Sequence, residues 1–67
     1  MSPLQHFRTI RGHSLRALAL ATRIDHVRLH HIEHGRRATD DELQRLARAL
    51  ACTVDELRGD LAPAVAS

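Results

Sequence analysis

With 67 residues the chain holds one small domain, and a domain of that size buries only roughly 60% of the surface its unfolded chain exposes, which disfavours a catalytic cleft with its own substrate pocket. A single cysteine excludes an internal disulfide framework, and the absence of a signal-peptide pattern or an apolar run of spanning length makes a soluble cytoplasmic protein the expectation. The net charge of +2 hides a division, because residues 1–38 set seven arginines against Asp25 and Glu33, a balance of +5, and hold all six histidines. Residues 39–67 set three arginines against six carboxylates, a balance of −3. The basic end is therefore the one that should meet a polyanion, unless both ends are ordinary solvated faces.

Ser2-Pro3-Leu4-Gln5 opens the first predicted helix with a cap, a proline at the first helical position and a Gln placed to close a capping box. Leu4, Phe7 and Ile10 are expected to face inward, and Gly12 to end the helix. Ser14 caps a second helix over about 15–22, in which Leu18, Ala19 and Thr22 share a face. After a break at Arg23-Ile24, Asp25 caps a third helix over about 26–34, with Leu29 and Ile32 inward and Gly35 as its stop. Ala19 is small enough to let these two helices cross closely, and Ile24 plugs the turn between them. Thr39-Asp40-Asp41-Glu42 is a second capping box, ahead of Leu43, Leu46, Ala47 and Leu50 in the i, i+3, i+4, i+7 pattern of an amphipathic helix. Thr53-Val54-Asp55-Glu56 is a third box, opening a short helix anchored by Leu57 and stopped by Gly59. Residues 61–67 read as a frayed tail after a domain spanning 1–60. No segment alternates with period two over a useful length, so the expected fold class is all-α with five helices.

Taken together, Phe7-Arg8, Gly12-His13-Ser14, Leu18-Ala19, Ile24-Asp25, Leu29, Ile32-Glu33-His34-Gly35, Arg36-Arg37, Leu43, Leu46-Ala47, Ala49-Leu50 and Leu57 resemble the Cro/CI-type (XRE-like) helix-turn-helix family of phage and bacterial repressors, over roughly residues 4–58. The resemblance implies a compact, lambda-repressor-like domain that lays its third helix in the major groove of double-stranded DNA, usually as a twofold dimer on a palindromic operator. It also implies that Arg8 pairs with Glu33 and locks the first helix to the third. Three positions depart from the family pattern. Leu15 stands where the family often has a Gln that touches phosphate, and Arg23 and Ala51 stand where it favours Gly after a helix. Each of these last two turns is either reshaped or carries roughly 1 kcal/mol of left-handed strain.

Opposite Leu29 and Ile32, the third helix turns His26, Val27, His30 and His31 outward, and these are the candidate base readers. An imidazole nitrogen can donate to or accept from a base edge, and Val can pack on a thymine methyl. Ser14 at the start of the second helix, with Arg28, His34, Arg36 and Arg37, is assigned to phosphates, which a guanidinium binds whatever the sequence. Arg37 also stands where it can reach a base from the loop. His26, His30 and His34, spaced i, i+4, i+8, admit a rival reading as metal ligands; no Cys or carboxylate joins them on that face, so neither metal nor other cofactor is expected. Cys52 reads as a small core residue. The expected function is that of a sequence-specific DNA-binding regulator, a repressor acting by occupancy and not an enzyme, with no membrane or small-molecule partner. A weak homodimer through Leu57, Leu61 or their neighbours is expected to double the reading surface. The alternative is a protein-binding module of antitoxin or anti-repressor type, using Leu15 and Leu20, both expected outward, and the apolar tail.

Overall fold

The computed structural model describes residues 2–58. Among these lie five helices and no strand: α1 (Pro3–Ile10), α2 (Leu15–Thr22), α3 (His26–Glu33), α4 (Asp40–Leu50) and α5 (Val54–Arg58). The fold class expected from the sequence is the one observed, with each predicted helix within a residue or so of its place. Gly59 and the residues 61–67 read as a tail lie outside the described residues.

Side-chain caps set where each helix begins. The Ser2 hydroxyl accepts from the Gln5 N–H (3.1 Å), the Ser14 hydroxyl from the Ala17 N–H (3.1 Å) and the Asp25 carboxylate from the Val27 N–H (3.0 Å). Both halves of the box close at α4, between Thr39 and Glu42, and at α5, between Thr53 and Glu56. At α1 only the Ser2 half is made among the described residues, and the Gln5 side chain takes no part. Each such cap satisfies amide donors that the first turn leaves without helical acceptors.

The first four helices end on a residue with positive φ. Gly12 (φ 76°) ends α1, with its N–H donating to the Thr9 carbonyl and that of His13 to the Arg8 carbonyl; Gly35 (φ 110°) ends α3 by the same paired closure, from Gly35 to Ile32 and from Arg36 to His31. Arg23 (φ 60°) and Ala51 (φ 54°) do the same for α2 and α4. Of the two outcomes open for those positions, the turns are kept and the left-handed strain is carried.

Leu18, Leu29, Leu46 and Leu50 are completely buried at the centre, with Leu4, Ile24, Ile32, Ala47 and Leu57 around them. Helix α2 packs on α3 and α4, α4 on α5, and α1 on both α3 and α5. Ile24 is buried in the turn between α2 and α3. Thr22 is buried as well, and its hydroxyl donates back to the Leu18 carbonyl at 2.8 Å. Cys52 is half-buried against the core, and desolvation pushes its thiol above the ordinary range. None of the described helices is long and apolar enough to cross a membrane.

Three burial expectations are corrected. Ile10 is 54% exposed, because each three-residue step from Leu4 through Phe7 drifts about 60° around the helix and carries Ile10 off the inner face. Arg8, four residues after Leu4, is the side chain half-buried in its place. Leu15 is half-buried against the core, not outward, since it precedes Leu18 by three and Thr22 by seven and shares their face. Leu57 is buried and so is not free to pair with a second copy, while Leu61 lies outside the described residues. Leu20 is outward as expected, at 83% exposure.

Candidate nucleic-acid interface

Helix α3 buries Leu29, Ile32 and Glu33 and leaves the opposite side open, where His26, Val27, His30 and His31 are all exposed. Two apolar residues alone would leave an eight-residue helix loosely seated. Charge fixes it on both flanks.

On the first flank, Arg8 reaches Glu33 with Nε to Oε2 and Nη2 to Oε1, while its Nη1 donates to the His13 carbonyl at 3.0 Å. The arginine side chain is 19% exposed and the glutamate 5%. Loss of either partner from so buried a pair costs on the order of 3–5 kcal/mol, mostly because the remaining charge has no compensation.

The second flank joins α3 to α4. Arg28 donates from Nε (2.9 Å) and Nη2 (2.8 Å) to the two carboxylate oxygens of Glu42, and from Nη2 to the Arg37 carbonyl (3.3 Å). Glu42 also accepts from the Thr39 N–H at 2.8 Å. The Arg28 hydrogen bond, aided by the Thr39 amide, holds the Glu42 carboxyl at about 2, and Glu42 in turn raises Arg28. The guanidinium assigned to phosphate is thereby turned toward α4. The sequence offered a capping glutamate and an exposed arginine 14 residues apart, with no local signal that they meet.

Other arginines unassigned from the sequence also find places. Arg11 closes the end of α4, donating from Nε to the Leu50 carbonyl (2.9 Å) and from Nη2 to the Ala51 carbonyl (3.2 Å). Arg16, Arg23 and His26 line a shallow hollow over Ala19, Leu20, Ile24 and Asp25, beside the turn of the motif. Arg16 and Arg23 are exposed there, beside the start of α3.

His34, Arg36 and Arg37 are exposed at the end of α3 and in the following loop, and among the described residues the Arg36 and Arg37 side chains make no hydrogen bond or ion pair with protein. Ser14 is exposed; its oxygen is engaged as the α2 cap, yet a hydroxyl keeps its own proton to donate. Of the i, i+4, i+8 histidines, the rings of His30 and His34 approach to 4.3 Å between centroids. No group of three or more His, Cys, Asp or Glu side chains suited to a metal ion occurs among the described residues.

The arrangement is a short helix clamped on two sides, with a capped, left-handed turn before it and a basic loop after it. The family model described as helix-turn-helix matches residues 4–57, most of the chain. The chain belongs to the Cro/CI-type, XRE-like helix-turn-helix family. It is thus a DNA-binding helix-turn-helix regulator, of a family that is regulatory and not enzymatic. Comparison with curated proteins and with solved structures returned no match.

Proposed function

We propose that this domain is a sequence-specific transcriptional repressor that inserts α3 into the major groove of an operator and acts by occupying it. The observation that carries this reading is the outward row His26, Val27, His30 and His31, exposed side chains of α3 that contribute nothing to the core. His26 and Val27 lie at the start of the helix, where a groove-entering helix approaches base edges first, and His31 one turn further on. His34, Arg36 and Arg37, with the Ser14 hydroxyl, take phosphates and fix the register without reading sequence. Arg28 contributes by holding α3 against α4 through Glu42. Two copies on a twofold operator in the cytoplasm would set their α3 helices about 34 Å apart, joined through the acidic half but not through the buried Leu57.

Selection of binding sites from a random duplex pool, followed by footprinting on the enriched sequence, tests the reading. Enrichment of a defined site, with protection centred where α3 docks, is the expected result; a pool that fails to enrich refutes sequence-specific repression. A second reading rests on Leu20, which stands almost fully exposed beside the α2–α3 turn. If the domain acts instead as a protein-binding module, a protein partner binds in the absence of operator and Leu20→Gln abolishes that binding.

A further inference from the structure

The C-terminal end of α3 brings two imidazoles together through its backbone. His34 is the C-cap, and its N–H donates to the carbonyls of His30 (3.2 Å) and His31 (3.1 Å), so the chain keeps helical register through residue 34. The Gly35 closure then anchors that last turn, with the Arg36 N–H on the His31 carbonyl at 2.9 Å. Positions i and i+4 thus face the same way, and the two rings lie 4.3 Å apart between centroids, tilted by 54°. Both are exposed.

We propose that His30 and His34 form a site for one divalent late first-row metal ion, of the Zn2+ or Ni2+ type, with water in the remaining positions. A metal–nitrogen bond of about 2.0–2.1 Å, with the two imidazoles about 90–110° apart around the ion, sets their centroids roughly 4.5–5 Å from each other. Small rotations of two exposed rings cover the difference, and the backbone stays as it is. The carbonyl end of a helix favours a cation, whereas Arg36, exposed two residues further on, opposes one. His31 is the wrong third ligand: its ring centroid is 6.1 Å from that of His30 and its position is one residue round the helix. Glu33 is held by Arg8. Imidazole ligands select late transition ions over Mg2+, which keeps to oxygen.

His30 belongs to the row assigned to DNA and His34 to the phosphate set, so the test uses protein alone. Untagged full-length chain is titrated by calorimetry at neutral pH with ZnCl2, NiCl2 and MgCl2. One Zn2+ or Ni2+ per chain and no Mg2+ is the expected result. His30→Ala and His34→Ala should each weaken binding at least about tenfold, since either leaves a single ligand without the chelate advantage; His26→Ala and His31→Ala should not weaken it. Thermal melting provides the second readout: Zn2+ raises the Tm of the native chain but not that of the His34→Ala variant. The site is overturned by an absence of saturable binding, by a loss shared evenly among the six histidines, or by a His26→Ala loss equal to that of His30→Ala.

Discussion

Replacing Ala51 by Gly should make the domain more stable. Ala51 holds φ 54° and ψ 47° at the end of α4, a conformation that brings the Cβ of an L-residue too close to the next carbonyl oxygen and costs about 1–2 kcal/mol. Its methyl is exposed, so removing it forfeits no burial. The closing bond from the Cys52 N–H to the Ala47 carbonyl (3.0 Å) and the two bonds from Arg11 all end on backbone oxygens and survive the change. Set against the relief is the greater freedom glycine gives the unfolded chain, about 0.4–1 kcal/mol. The net gain is about 0.5–1 kcal/mol, a rise in Tm of roughly 2–8 °C for a domain in this size range. Urea unfolding at unchanged m-value measures it directly. Ala21→Gly, at an exposed site within α2, is the control and should instead lose about 1 kcal/mol. If Ala51→Gly left the domain unchanged or weaker, the strain argument would fail.

Arg8→Ala should destabilise by about 3–5 kcal/mol by leaving Glu33 buried and unpaired, and the paired change Arg8→Met with Glu33→Leu should recover most of that in urea unfolding; equal losses from both variants would place the energy elsewhere. The Glu42 carboxyl titrates at about 2 in the folded state against an ordinary 4.5, so the Arg28 pair contributes its full stability above about pH 4.5 and loses it as pH falls toward about 2. A shift of that size corresponds to about 3 kcal/mol, screened by solvent at this half-open pair to about 1–2 kcal/mol; acid unfolding followed by circular dichroism should show a shallower dependence in that window for Glu42→Gln. On DNA, His31→Ala should cost about 1–3 kcal/mol on the preferred site and flatten base preference there. Arg36→Ala should weaken all sequences alike and reduce the slope of log affinity against log salt by about one. A His31 variant with undiminished preference would remove that residue from the reading set.

Local signals made most of the architecture legible. Thr39 with Glu42 and Thr53 with Glu56 fix two helix starts through bonds that span three residues, and Leu43, Leu46, Ala47 and Leu50 fix a buried face through period alone. The outward side of α3 was readable by subtraction, once Leu29 and Ile32 were taken as inward. Ile10 and Leu15 depart from the sequence expectation because in eight-residue helices a single terminal residue lies near the edge of the buried face, where a small change of register reverses its side. Arg28 with Glu42, and Arg11 with the end of α4, were illegible for another reason. Those contacts join elements distant in sequence, and every exposed arginine looks alike until the chain is folded.

The clamps on α3 divide its labour by position. Asp25, Arg28, Leu29, Ile32, Glu33 and Gly35 seat, tether or end the helix, whereas His26, Val27, His30 and His31 take no part in the core or in its ion pairs. Exposed positions without such duties tolerate exchange within about 0.5 kcal/mol in either direction. Mutational drift can therefore rewrite this outward face almost freely among helix-compatible residues while the scaffold persists. On the proposed assignment of these four sites to base reading, a duplicated gene of this type would acquire a new target through a few codon changes there, with no compensating change in the core.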